Sequence, residues 1–137
     1  VEYDDIEDPL PFDLTAPIVD IGDDDYAVWY RDMSEDPKKY EGKTVRFKCR
    51  ALKRKKIPAG CFIVGRHVMT CCVEDIQFAA LVCQWDKAET MTDDSWVILT
   101  AKVNFKCHRA YSRKGPVLTY ISHEECEAPA QDVATFY

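Results

Sequence analysis

The hydrophobic pattern from residue 44 onward is that of β-strands. In the segment TVRFKCRAL (44–52), apolar side chains alternate with basic ones, which is typical of a strand with one buried face. The apolar positions are Val45, Phe47, Cys49 and Ala51, and the basic positions are Arg46, Lys48 and Arg50. Turn residues separate four further predicted strands, at 61–70, 77–85, 95–107 and 116–125. Gly65, inside the second of these, is predicted to form a bulge or bend.

A helix is predicted ahead of the strands, within residues 23–40. Acidic capping residues come first, and large apolar side chains follow at the spacing of one helical face: Tyr26, Trp29, Tyr30 and Met33. Pro37 is expected to end the helix just before it. Residues 1–22 contain three prolines among acidic side chains. This composition predicts an extended acidic leader.

Five strands at this spacing, with a helix in front of them, predict a mainly β fold. One long strand and one strand bent at a glycine favour a small five-stranded barrel, and the oligonucleotide/oligosaccharide-binding (OB) fold is the best match. A β-sandwich is the alternative, which the low strand count disfavours. A chain of 137 residues is expected to form one domain. We therefore predict a single OB-like domain over 23–137.

Charge is divided unevenly along the chain. The first 36 residues carry thirteen acidic residues and one Arg, whereas the remainder carries seventeen basic and eleven acidic residues. The acidic part is interpreted either as a solvated leader or as an arm that folds onto the basic part. The chain begins with Val rather than Met, and we expect it to be a processed or excised piece.

Seven cysteines, an odd number, cannot all pair in internal disulfides. Taken singly they are interpreted as small core hydrophobes in a reducing setting. The adjacent pair Cys71–Cys72 stands out, because successive strand residues point to opposite faces and two neighbouring thiols fill one core poorly. Thiolates bind zinc and Cu(I), and the candidate completing ligands are His67 and Cys83. The pair is therefore predicted to be a metal or thiol site.

Two charged residues flank that pair in the sequence. Arg66 is placed to lower the pKa of the thiols. Asp75 is predicted to orient Arg66 or a ligand-bearing side chain, and an ordinary ion pair between the two is the alternative. For the cysteines, two other interpretations stay open: one thiol in the core with the other capping the connection, and a vicinal disulfide.

Two alternative functions follow from other features. The stretch 43–56 holds eight Lys/Arg residues and suggests a single-stranded nucleic-acid-binding module, although no aromatic side chain lies among the outward positions to stack on bases. The residues concerned are Arg46, Lys48, Arg50, Lys53 and Arg54. A thiol-based redox protein is the second alternative. The sequence lacks the serine-hydrolase, phosphate-loop and zinc-protease motifs, so no enzymatic activity is predicted.

Several segments together resemble a bacterial family, the YcgQ-like permease-subunit family. They are DPKKYEGKTVRFKC, FIVGRHVMTCCVEDIQF and DDSWVILTAKV, and the most specific positions are Gly65, Arg66, Thr70, Cys71, Cys72 and Asp75. The resemblance, over about residues 24–137, implies an OB-like soluble domain of a parent protein that spans the membrane and acts with a partner permease. It implies association with the membrane through segments absent from this chain. Cys49 and Cys61 depart from the family pattern, as does the segment KCHRAY at 106–111.

These observations predict a non-enzymatic accessory domain of a membrane permease complex. We expect it to bind a partner, a zinc or copper ion, or a thiol-reactive solute through Cys71 and Cys72. Nucleic acid is the less favoured partner. The family context allows an extracytoplasmic position, while the number of cysteines favours a reducing compartment.

Overall fold

A computed structural model describes residues 12–22, 25–53, 57, 59–69, 76–106, 115–129 and 133–135. Within these ranges there are one α-helix, two short 3-10 turns and seven strands. The helix is α1 (Tyr26–Glu35), and the turns are Pro37–Lys39 and Ala88–Thr90. The strands are β1 (Val19–Ile21), β2 (Thr44–Leu52), β3 (Cys61–Met69), β4 (Gln77–Gln84), β5 (Ser95–Lys106), β6 (Gly115–Glu125) and β7 (Ala134–Thr135). No helix of the described chain is long and apolar enough to cross a membrane.

The five long strands close into a barrel, which confirms the predicted fold class. Around the barrel the order is β2, β3, β4, β6, β5 and again β2, because β2 pairs with both β3 and β5. Every pairing in this ring is antiparallel except that of β4 with β6. The connectivity is that of the OB-like Greek-key barrel expected from the sequence.

In β2 the apolar and basic side chains that alternate in the sequence are alternately buried and more exposed in the structure. Its four apolar positions, Val45, Phe47, Cys49 and Ala51, are buried, whereas Arg46 is exposed and Lys48 and Arg50 are half-buried. The same period places Val97, Leu99, Ala101 and Val103 of β5 in the core. Strand periodicity therefore defines the barrel interior, since side chains two residues apart share one face.

Helix α1 closes one side of the barrel with the face predicted for it. Trp29 and Met33 are fully buried, and the rings of Trp29 and Phe47 lie 4.7 Å apart between centroids. The helix ends at Glu35, ahead of Pro37 as expected. The Tyr26 hydroxyl donates a hydrogen bond of 2.7 Å to the carbonyl of Ala79 and so links the helix to β4.

Part of the predicted leader belongs to the sheet. Val19–Ile21 pairs in parallel with β2, and the side chains of Phe12, Val19 and Ile21 are buried. Asp20, on the exposed side of the same strand, forms an ion pair with Arg46 at 2.6 Å. Residues 12–22 thus pack onto the barrel, in line with the interpretation of an acidic arm folded onto the basic part.

Gly65 permits a close approach of two strands rather than a bulge. The pairing of β3 with β4 runs through Gly65 without a change of register. A Cβ at this position would lie 2.3 Å from the carbonyl oxygen of Ala79, closer than any side chain tolerates. The register shift of the barrel lies instead in β5 and β6, at Thr100/Ala101. The prediction of a bulge at Gly65 was therefore wrong.

Candidate functional site

The predicted thiol pair follows β3 directly. Cys71, Cys72 and Asp75 lie in the connection 70–75, outside the described residues. β3 ends at Met69 before the connection and β4 begins at Gln77 after it, and the two strands pair up to Val68 and Gln77. The described residues nearest to the connection along the chain are therefore the ends of β3 and β4.

Arg66 and His67 point to opposite faces of β3. Arg66 is 1% exposed and lies among the inward positions of the strand, whereas His67 is half-buried on the outer face. The His67 ring packs edge-on against its cross-strand partner Phe78, with 5.0 Å between ring centroids. Only one of these two side chains therefore faces the barrel interior.

The Arg66 guanidinium lies over an aromatic ring and near a buried thiol. Its Cζ is 5.5 Å from the centroid of the Trp96 ring, a distance typical of a cation–π contact. Burial raises the pKa of the neighbouring Cys49 thiol, and the positive charge of Arg66 partly opposes this shift. Burial raises the pKa of the Tyr26 hydroxyl, and the charge and backbone of Arg66 partly oppose this shift. Arg66 thus lies near both the helix and a buried thiol of the barrel.

Cys83 lies at the far end of the β3–β4 hairpin from the connection. It is opposite Phe62, six residues along β4 from Gln77. At a rise of about 3.3 Å per residue this places it about 20 Å from the point where the connection rejoins the sheet. Cys83 faces inward, whereas His67 faces outward. The structure does not bring the two candidate completing ligands together.

The two fully buried thiols are poorly suited to nucleophilic chemistry. Burial raises the pKa of Cys49 well above its ordinary value, and burial together with the charge of Cys61 raises the pKa of Cys83. Both thiols therefore stay protonated and pack as small apolar side chains. Among the described residues, no three His, Cys, Asp or Glu side chains are grouped so that they could hold one metal ion.

The basic face proposed for nucleic acid is engaged in contacts with acidic residues. Arg46 forms a bidentate pair with Asp20, at 2.6 and 2.9 Å, and Arg50 forms an ion pair with Asp94. The Lys53 Nζ donates a hydrogen bond to the carbonyl of Glu89 at 3.0 Å. Lys48 is half-buried, and Arg54 lies outside the described residues. These carboxylates reduce the positive charge that a phosphate backbone needs.

A cluster of three aromatic side chains was not predicted from the sequence. The rings of Trp85 and Tyr120 stack with 4.0 Å between centroids, and the Tyr120 hydroxyl lies 2.6 Å from Nδ1 of His123. Tyr120 and His123 both pair with inward positions of β5, Ala101 and Leu99, although they are three residues apart. The register shift at Thr100/Ala101 makes this possible. No sequence pattern indicated that shift.

Comparison with protein families identifies the family of this chain. No curated protein matches the chain. The sequence profile of the DUF1980 C-terminal domain matches residues 5–133, which includes the whole barrel and the folded arm at 12–22. The chain therefore belongs to the DUF1980 C-terminal domain family.

Proposed function

We propose that this domain is a non-enzymatic accessory domain of a membrane permease complex that binds a soft metal ion or a thiol-reactive solute through Cys71 and Cys72. One observation supports the site above all others. Arg66 is the only fully buried charged side chain among the described residues. It stands five residues before the thiol pair, on the strand that leads to it.

A buried guanidinium is costly in a small barrel. Transfer of an ionised group out of water carries a large desolvation penalty, which a partner offsets only in part. A leucine or methionine of similar volume would fill the same space without that cost. A positive charge, by contrast, stabilises the thiolate form of a nearby thiol, which binds metals and reacts with electrophiles. We propose that Arg66 acts in this way on the thiols of the connection that follows β3, as its charge does on Cys49.

The positions of His67 and Cys83 favour one of these two residues as an additional ligand. His67 lies on the outer face of β3, two residues before the last described position of the strand, and it can approach the connection from that face. Cys83 is turned inward at the other end of the hairpin. We therefore propose Cys71 and Cys72 as ligands, with His67 as the candidate third ligand and zinc or Cu(I) as the ion.

Metal analysis tests the site directly. The protein is purified without chelators or an affinity-tag metal, and its zinc and copper contents are measured by mass spectrometry before and after anaerobic addition of Zn²⁺ or Cu⁺. Wild type is expected to hold about one ion per chain, and Cys71→Ser/Cys72→Ser none. Cys61→Ser is the matched control, because Cys61 is a half-buried thiol at the opposite end of β3.

The outcomes separate the alternatives. A wild type that takes up neither ion contradicts the metal site, and loss of metal in Cys61→Ser alone moves the site to the other end of the barrel. Rapid alkylation of Cys71 or Cys72 at neutral pH in a metal-free protein would favour the redox alternative, because only a thiol with a lowered pKa reacts quickly there.

The permease partnership is proposed from the resemblance to the YcgQ-like family. The small closed barrel is consistent with it, because many proteins of this fold bind a partner or ligand. Co-expressed with a permease of that family, the domain is expected to co-purify with it in detergent. Separation of the two proteins at every salt concentration tested would contradict the partnership and leave the metal site to be judged on its own experiment.

A further inference from the structure

The barrel is closed by few hydrogen-bonded pairs between β4 and β6. Among the described residues, these strands pair over only three residues each, Val82–Gln84 with Val117–Thr119, whereas β3 and β4 pair over eight and β5 and β6 over ten. The other short pairing, Arg50–Leu52 of β2 with Ile63–Gly65 of β3, is antiparallel. Parallel pairing is slightly less stable per residue. The contact between β4 and β6, here called the seam, is therefore a weak point of the barrel.

Aromatic stacking continues the closure where the pairing stops. Gln84 and Thr119 form the last pair of the seam, and the next residues on the two strands are Trp85 and Tyr120. Their rings stack with centroids 4.0 Å apart and planes 17° apart. His123 contacts both rings edge-on, at 5.7 and 5.6 Å. The three side chains thus bridge the gap between the strands.

The two sides of this contact are anchored to different halves of the barrel. The backbone N–H of Trp85 donates to the carbonyl of Gly60, and its ring contacts Phe62 of β3. Tyr120 and His123 are held by the pairing of β6 with β5. On the outer face of the seam, Lys106 Nζ donates to Gln84 Oε1 at 3.0 Å. Separation of the rings would therefore separate the β3–β4 hairpin from the β5–β6 hairpin.

Cys83 is the middle β4 residue of the seam. It pairs with Leu118, faces the interior and is fully buried. Burial raises the pKa of Tyr120, and the nearby Cys83 thiol adds to this shift. The reactivity of the Cys83 thiol therefore reports any separation of β4 from β6.

We propose that the barrel opens reversibly at the seam, with Trp85, Tyr120 and His123 as its latch, in a local motion distinct from global unfolding. Opening exposes Cys83 and part of the barrel interior, while the pairing of β3 with β4 and of β5 with β6 persists. Local openings of this kind occur where pairing is short and side chains are incompletely buried. The proposal concerns Cys83 alone and is independent of the function proposed for Cys71 and Cys72.

Alkylation of the native protein tests the motion. Iodoacetamide is added under anaerobic conditions, and the modification of each cysteine is followed by peptide mass spectrometry; in the reaction the thiolate sulfur displaces iodide and the thiol proton passes to solvent. Cys49, which is equally buried on β2, is the internal reference. Cys83 is expected to react at least tenfold faster than Cys49, and its rate is expected to depend less on urea, because a local opening exposes less surface than global unfolding.

Three variants distinguish the latch from a general loss of stability. Tyr120→Ala removes the stack and is expected to accelerate alkylation of Cys83 by a further tenfold or more. Tyr120→Phe keeps both ring contacts, loses only the contact of the hydroxyl with Nδ1 of His123 and is expected to have a smaller effect. Met33→Ala destabilises the helix side of the barrel and is the control. Equal rates and equal urea dependence for Cys83 and Cys49 in wild type would overturn the proposal. So would an acceleration of Cys83 in Met33→Ala as large as in Tyr120→Ala.

Discussion

The barrel is held closed in two different ways, by α1 on one side and by the seam between β4 and β6 on the other. On the helix side, Tyr26, Trp29 and Met33 are almost completely buried, and the helix is bonded to β4 through the Tyr26 hydroxyl. At the seam, Trp85 and Tyr120 are only half-buried and meet by stacking. Both sites use large aromatic side chains, but only the first removes them from water.

This difference implies different roles for the same residue types. Burial of a whole aromatic side chain contributes to the free energy of folding through its apolar area and its packing. Stacking between half-exposed rings contributes less to the free energy of folding, and this contribution depends on how the rings are arranged. The helix side is therefore expected to determine the stability of the barrel, and the seam its local openings.

Two tryptophan-to-alanine variants give the largest expected contrast. Trp29→Ala leaves a cavity between helix and barrel and is expected to lower the free energy of unfolding by about 3–5 kcal/mol. Trp85→Ala is expected to lower it by about 1–2 kcal/mol, because part of the ring already faces water. Urea denaturation followed by circular dichroism measures both values. An equal loss in the two variants would contradict the division of roles.

Gly65 tests how tightly β3 and β4 approach each other on the helix side. In Gly65→Ala the new methyl group would meet the backbone of Ala79, which also accepts the Tyr26 hydrogen bond, and a loss of about 1–3 kcal/mol is expected. Gly22→Ala is the control, since its Cβ would meet only the movable carboxylate of Asp25. The free energies of unfolding of both variants decide the matter. A Gly65→Ala protein as stable as Gly22→Ala would show that the strands can separate at no cost.

The sequence predicted the parts of this fold that depend on local periodicity. The alternation in β2 identified Phe47 and Cys49 as core residues, and the helical spacing identified Trp29 and Met33. The number of strands and the order of the elements were sufficient to predict the barrel. Five short strands can close into a barrel in only a few ways, and the OB-like topology is one of them. These predictions needed no knowledge of which strand pairs with which.

What could not be predicted depends on long-range register. The distance between Cys83 and the connection after β3 follows from the pairing of Phe62 with Cys83, and the aromatic cluster follows from the shift opposite Tyr120. The burial of Arg66 breaks the usual rule that charged side chains stay in water. The short strand at Val19–Ile21 was not predicted, because the acidic residues and prolines around it are typical of an extended leader. In each case tertiary contacts, rather than local preference, decided the outcome.

The Tyr26 hydroxyl provides a smaller test of the helix side. Tyr26→Phe leaves the buried carbonyl of Ala79 without the hydrogen bond from the helix, and a loss of about 1–3 kcal/mol is expected. Tyr30→Phe is the matched control, because the Tyr30 hydroxyl is 3.5 Å from the carbonyl of Ala80 and only partly buried. Chemical denaturation of both variants gives the comparison. Equal stabilities would indicate that water replaces the Tyr26 hydroxyl without loss.

The buried thiols predict a decrease of stability at alkaline pH. Burial raises the pKa of Cys49 and Cys83 above the ordinary value of 9.0, so the folded protein keeps two protons that the unfolded chain releases. The contribution is fully present below pH 9 and decreases above it, by about 1.4 kcal/mol per pH unit and thiol. Urea denaturation between about pH 8 and about pH 10 should show a shallower decrease in Cys49→Ala than in wild type. The control is Val97→Ala, which perturbs the position opposite Cys49 and keeps both thiols. If the free energy of unfolding fell with pH as steeply in Cys49→Ala as in this control, the prediction would be contradicted.

The ion pair between Asp20 and Arg46 should have the smallest effect, because it holds the folded arm at the surface. The side chains of Arg46 and Asp20 are 44% and 64% exposed, and pairs in such positions contribute little to stability and are screened by salt. Asp20→Asn is therefore expected to shift the urea midpoint only slightly at low salt and not measurably at high salt. Val19→Ala is expected to shift it more, since Val19 is fully buried against β2. A larger shift of the urea midpoint in Asp20→Asn than in Val19→Ala at high salt would contradict this prediction. It would mean that the ion pair, rather than burial, holds the arm on the barrel. Burial would then determine stability on the helix side but not at the arm.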